Sequence, residues 1–258
     1  MEVIICQDRD VAARLAAREF ERQIRRKPAS VLGLATGSTP LGLYRELADR
    51  VEAGQLDLRA CTTFNLDEYV GLPPSHPASY AAYMQEHFFS RIPVARWRIP
   101  NGIAADIENE CASYEASIAD AGGIDLQLLG LGSDGHIGFN EPSSSLASRT
   151  RLKTLTQRTI DDNARFFPSA AMVPHHVITM GVGTIMEARR VVVLAFGEGK
   201  SAAIAATVEG PITANVPGSI LQMHPSCSLF VDEAAASRLE RAAYYRWVWK
   251  NKPDWQVA

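Results

Sequence analysis

The chain has 258 residues, 47% of them apolar, and a formal net charge of -3, which suits an ordinary globular protein with a sizeable core and leaves no basic surplus to neutralise a nucleic-acid backbone. Four widely spread cysteines, Cys6, Cys61, Cys111 and Cys227, form no C-x-x-C pair, so they suggest neither a zinc cluster nor a disulfide framework and fit a reducing cytoplasm. No apolar run approaches the ~20 residues that cross a bilayer, and the opening "MEVIICQDRD" lacks the basic start and long apolar run of an export signal. The protein is therefore expected to be cytoplasmic, with no membrane or nucleic-acid partner.

In chain order, the strand-like runs are "EVIIC", "SVLGLA", "CTTFNL", "IDLQLLGLG", "HHVITMG", "RRVVVLAFG" and "CSLFVD". Between them, "DVAARLAAREFERQIRR", "LGLYRELADRVEAG", "SYAAYMQEHFFSR", "IENECASYEASIADAG" and "GKSAAIAATVEG" have helical periodicity. This alternation predicts an α/β fold, an open and mainly parallel sheet with helices on both faces, in a Rossmann-like three-layer sandwich. With no repeat and no long linker, residues 1–258 read as one domain. The basic run in "ERQIRRKP" complements a helix end and faces water. The tail "YYRWVWKNKPDWQVA" carries Tyr244, Tyr245, Trp247, Trp249 and Trp255, which would cover the domain's own core or fill a subunit contact.

Three stretches carry candidate chemistry. "SVLGLATGSTPLGLYREL" reads as strand, tight loop and helix, with Pro40 at the first turn. The amides of Gly37, Ser38 and Thr39, with the two hydroxyls, form a candidate phosphate cradle at the positive helix end. On this fragment alone, a plain helix cap by Ser38 or Thr39 is an equal alternative. "TTFNLDEYVGL" leaves its strand at Asp67 and Glu68, which places acids at the mouth of the sheet, where a cap or a solvated loop would also use them.

In "GLGSDGHIGFNEP", Gly130, Gly132 and Gly135 match G-x-G-x-x-G, but Gly138, Pro142 and a serine run replace the helix that a dinucleotide fingerprint needs. Leu131 breaks the serine-nucleophile elbow at Ser133. Asp134, His136 and Glu141 offer metal-ligand atoms without the usual i, i+4 helical pair, so no metal is assigned. As an acid/base set they use all three side chains, because flanking carboxylates orient an imidazole and raise its hold on a proton. A glycine-rich turn with a capping Asp and a surface His remains an equal reading of the fragment.

Taken together, "LATGSTP", "FNLDEYVGL", "GLGSDGHIGFNEPSSSLASRTR" and "ITMGVGTIMEA" resemble, in order, the motifs of the glucosamine-6-phosphate deaminase family, also called glucosamine-6-phosphate isomerase, and the resemblance covers nearly the whole chain. The related 6-phosphogluconolactonases share the Asp134–His136 segment but differ in its flanks, where this sequence has "IGFNEP". The resemblance implies hydrolytic deamination of D-glucosamine 6-phosphate to D-fructose 6-phosphate and ammonia, with no cofactor. It implies Asp67 as the base at C2, His136 at the ring oxygen with Asp134 and Glu141 beside it, and Arg165 and Lys200 at the phosphate with Gly37–Thr39. Ser145, Arg151 and Lys153 fit the basic segment of members activated by N-acetylglucosamine 6-phosphate at a subunit boundary. That implies a homo-oligomer with such an activator, although the aromatic tail departs from their pattern. The rival readings are a deaminase for the galactosamine epimer, a lactonase and a non-catalytic sugar-phosphate sensor.

Overall fold

The computed structural model describes residues 1–167 and 169–253; Trp255, counted above in the aromatic tail, lies outside them. The strands are β1 (Glu2–Cys6), β2 (Val31–Leu34), β3 (Thr62–Asn65), β4 (Asp67–Tyr69), β5 (Arg96–Arg98), β6 (Leu126–Gly130), β7 (Arg151–Thr154), β8 (His176–Thr179), β9 (Val191–Ala195) and β10 (Cys227–Asp232). The α-helices are α1 (Arg9–Arg26), α2 (Leu41–Glu52), α3 (Tyr80–Met84), α4 (Ile107–Asp120), α5 (Gln157–Asn163), α6 (Val182–Met186), α7 (Ser201–Val208) and α8 (Ala242–Lys250).

Seven strands form one sheet in the order β1-β10-β9-β6-β2-β3-β5, and every pairing in it is parallel. Every residue of β2 and of β9 is buried. Since successive side chains point to opposite faces, both faces of this sheet are covered. The branched run Val191–Leu194 in β9 makes this cheap, because such side chains pack well on a pleated surface. No described helix is long and apolar enough to cross a membrane.

After β2 the chain builds outward through β3 and β5; after β6 it builds the other way through β9 and β10. The loops that follow β2 and β6 therefore diverge, and a crevice opens between them at the carboxyl ends of the strands. At this seam Gly33 sits directly across from Gln127. A Cβ on Gly33 would lie 2.0 Å from Gln127 Oε1, so the glycine makes room for a buried amide whose Nε2 donates to the Leu128 carbonyl at 2.8 Å.

The run "HHVITMG" departs from expectation. It does form a strand, β8, but in a separate antiparallel sheet ordered β4-β8-β7. A short apolar run reveals burial but not which neighbour it pairs with. Leu66 joins the two sheets: its N–H donates to Leu34 O at 3.1 Å, and its carbonyl accepts from Met180 N–H at 2.7 Å. Asp67, the next residue, begins β4 where the chain leaves the parallel sheet.

Two other elements differ in detail. The helix expected over "SYAAYMQEHFFSR" is α3 followed by a wider π-helical turn over Gln85–Phe89. The aromatic tail forms α8, whose Tyr245 and Trp249 pack against the main core while Tyr244 and Trp247 stay exposed.

Gly33→Ala should lower stability by ~1–3 kcal/mol, the usual cost of forcing atoms into a packed interior. Combined with Gln127→Ala it should cost less than the sum of the two single changes, because they share one space; urea-denaturation midpoints of the four proteins of the cycle measure this.

Candidate functional site

The loop after β2 turns at Gly37, whose φ of +91° favours glycine. Tyr83 Oη donates to the Gly37 carbonyl at 2.6 Å, and Tyr44 Oη donates to Ala35 O at 2.5 Å. Both bonds hold the carbonyl side of the loop. Pro40 occupies the cap position of α2 without a side-chain capping bond, so the cap alternative for Ser38 and Thr39 is not adopted. Gly37, Ser38 and Thr39 instead line the crevice, at the positive end of a twelve-residue helix.

The loop after β6 folds back on itself. Gly135 N–H donates to Gly132 O at 3.1 Å, and Gly132 N–H to His136 O at 2.8 Å. The His136 ring lies over Gly132 so closely that a Cβ there would stand 2.3 Å from it. Asp134 Oδ1 meets His136 Nδ1 at 2.6 Å and also accepts the His136 backbone N–H at 3.1 Å. Burial works against ionising Asp134, but the hydrogen bond and charge of His136 outweigh it and hold the carboxyl down to about 2.

Asp67 is treated in the opposite way. It is 6% exposed, and burial, followed by the charge of adjacent Glu68, pushes it up to about 8. Glu68 accepts N–H bonds from Tyr69 at 2.8 Å, Tyr80 at 3.0 Å and Ala81 at 2.9 Å, which ties β4 to the start of α3. It too is raised, first by burial.

These parts converge. A cleft of about 720 Å³ is lined by Gly37, Ser38, Thr39, Asp67, His136 and Lys200. Asp134 stands behind His136. Glu141 is buried, and its hydrogen bonds go to Thr156 and Thr159 at the start of α5 rather than to the imidazole, so the structure brings together less of the expected trio than the motif implied. Arg165 lies on a short 3-10 turn, Ala164–Phe166, and its side chain falls outside the described residues.

Ser145, Arg151 and Lys153 are not among the residues of the cleft wall. Ser145 Oγ accepts an N–H in its own turn at 3.3 Å. Arg151 donates to Asn140 Oδ1 at 2.9 Å, while Lys153 belongs to β7, opposite Val177. The sequence reading missed several cleft residues, among them Tyr80, Tyr83 and Arg158. Arg158 reaches Ser133 Oγ at 3.0 Å from α5, a helix that no periodicity announced.

The loop at the start of α2, the buried carboxyl of Asp67 and the imidazole of His136 thus share one cleft at the carboxyl ends of a parallel sheet, where α/β enzymes bind their ligands. Residues 8–230 match the glucosamine-6-phosphate isomerases/6-phosphogluconolactonase family, and the chain is a member of that family. A glucosamine-6-phosphate deaminase of Streptomyces coelicolor is 52% identical over 259 residues, spanning 99% of both chains. A solved structure of a monomeric glucosamine-6-phosphate deaminase is 43% identical, with a TM-score of 0.90 over 92% of this chain and 100% of that one. A 6-phosphogluconolactonase from Trypanosoma cruzi, 22% identical with a TM-score of 0.73 over 93% of this chain and 97% of that one, shares the fold.

The monomeric relative overturns the expectation of a homo-oligomer. The expectation came from the resemblance of the Ser145–Lys153 segment to activated members; the tail, which departed from their pattern, lays Tyr245 and Trp249 on the protein's own core and leaves Tyr244 and Trp247 exposed. The activator expected at a subunit boundary goes with it.

Because Asp67 holds its proton more tightly in the folded chain than at its ordinary value of 3.8, it costs stability progressively between about pH 4 and about pH 8. Asp67→Asn should therefore be as stable as the parent near the acid end and more stable, by on the order of 1–3 kcal/mol, near pH 8. Urea midpoints taken across this window would test the sign.

Proposed function

We propose that this cleft isomerises and deaminates D-glucosamine 6-phosphate, with water, to D-fructose 6-phosphate and ammonia. The observation that carries the reading is that Asp67 and His136 line the same cleft as Gly37–Thr39 and Lys200: proton-transfer groups and an anion cradle share one space. The dianionic phosphate binds at the loop amides, Lys200 and Arg165, and this remote binding orients the reacting end.

His136 moves a proton at the ring oxygen as the sugar opens to its C1 aldehyde, with Asp134 holding the ring at Nδ1. Asp67 removes the C2 proton, which the adjacent carbonyl and ammonium acidify, while the ammonium gives up a proton to O1, and an enolamine with a C1 hydroxyl results. Asp67 then returns its proton to C1 of the enolamine, which becomes a C2 iminium. Water adds to that iminium, and ammonia leaves from C2. Glu141 supports the segment through Thr156 and Thr159. The whole chain acts as one catalytic unit and works in the cytoplasm, a reading supported by four free cysteines, all buried.

The reading is tested by ammonia release from glucosamine 6-phosphate beside its galactosamine epimer, with acid release from 6-phosphogluconolactone measured in parallel. Preferential turnover of the first is expected; binding without turnover of any would overturn it. Asp67→Asn should fold and lose on the order of 10³ in kcat, whereas Lys200→Ala should mainly raise KM.

The pH profile offers a separate check. A base must be unprotonated, so kcat/KM should rise with pH until about 8, where Asp67 loses its proton. Glu68→Gln removes the neighbouring charge, the smaller of the two causes, and should move this limb to lower pH; a profile with no limb near pH 8 in the parent would remove Asp67 from the role.

A further inference from the structure

We propose that the turn over Thr213–Gly218 is a brace that sets the orientation of His136, with Gly218 and Val216 as positioning residues. The inference rests on the acid/base role of His136 given above. Gly135, between Asp134 and His136, offers its carbonyl to Gly218 N–H at 2.8 Å, and a few residues on Ser143 N–H donates to Ala214 O at 2.9 Å. One short segment thus grips the loop on both sides of His136. Ser143 has a φ of +75°, a left-handed backbone that among the described residues no other non-glycine adopts, so the far grip holds the loop where it would not rest by itself.

The contact leaves no slack. A Cβ on Gly135 would stand 2.6 Å from Val216 Cγ1, and one on Gly218 would stand 2.9 Å from the Gly135 carbonyl oxygen. The brace is stiff because Ser219, fully buried, closes it: its Oγ accepts Thr213 N–H at 2.9 Å and donates to Thr213 O at 3.1 Å. It is anchored as well. Gln222 Nε2 donates to Thr207 O at 2.9 Å and Gly210 O at 2.8 Å, at the far end of α7, the helix that begins directly after Lys200. Lys200 is thereby linked, through α7 and the brace, to the turn that carries the imidazole.

The test compares Gly218→Ala with the parent by ammonia release, by competitive inhibition with inorganic phosphate, and by the downfield NMR signal of the His136 ring proton shared with Asp134. The expected result is a folded protein with kcat lower by about ten- to a hundredfold, KM and phosphate inhibition within about twofold, and a shifted or lost ring-proton signal. A folded variant with unchanged kcat and signal would overturn the brace. If Gly218→Ala does not fold, Val216→Ala adds no atoms; it should lower kcat several-fold, and Val216→Thr, of the same shape, should restore it. Equal kcat in Val216→Ala and parent is the contrary result. His136→Gln run alongside separates the two ideas: full activity there removes the role of His136, whereas an inactive His136→Gln with a fully active Gly218→Ala removes the brace alone.

Discussion

The parallel pairing of β2 with β6, made through Leu32 opposite Leu126 and Gly33 opposite Gln127, is the constraint from which the site follows. Strands laid down after each of these two move apart, so nothing fills the space beyond their carboxyl ends. The two loops that leave the seam then face each other across that space. One ends in a helix N-terminus with Ser38 and Thr39; the other carries Asp134 and His136. A polar residue in the seam is tolerated only because its opposite number is glycine, and the amide spends one hydrogen bond on its own strand.

Two carboxyls near this crevice have been pushed in opposite directions by ordinary forces. Asp67 is buried with a second acid beside it and rises to about 8; Asp134 has an imidazole within hydrogen-bond reach and falls to about 2. Environments that separate two like groups in this way assign them different work. A carboxyl poised near neutrality exchanges protons with carbon acids, while one that stays ionised is suited to support a cation. The first arrangement costs the fold stability, which the large core around β9 and β6 offsets.

Much of this was legible in the sequence, and the limits have physical causes. Runs such as "RRVVVLAFG" and "CSLFVD" announce buried parallel strands because both faces need apolar side chains. The edge strand β5, "RWR", has no such need and gave no signal. β8 was visible as a strand but not its membership in the small sheet, since partner choice depends on where Leu66 hands the chain over. The motif segments pointed to Asp67, His136 and Gly37–Thr39, which line one cleft. They did not reveal that Glu141 would turn to Thr156 and Thr159, because hydrogen bonding across a loop and a later helix has no local pattern. The tail's use was open from composition alone; packing puts Tyr245 and Trp249 on the core and leaves Tyr244 and Trp247 exposed.

The outermost position of β1 has a consequence for how the molecule is made. Its one neighbour among the described strands is β10, with Glu2 beside Ser228, so β1 waits for a mate that is made much later in the same chain. Until then its amides and carbonyls are a bare edge, open to any extended segment nearby. Pairing across such a separation in sequence is slow. Between the synthesis of β1 and that of β10 this edge is therefore open to mispairing, and α8, which packs on the same strand, covers it only after β10 is made.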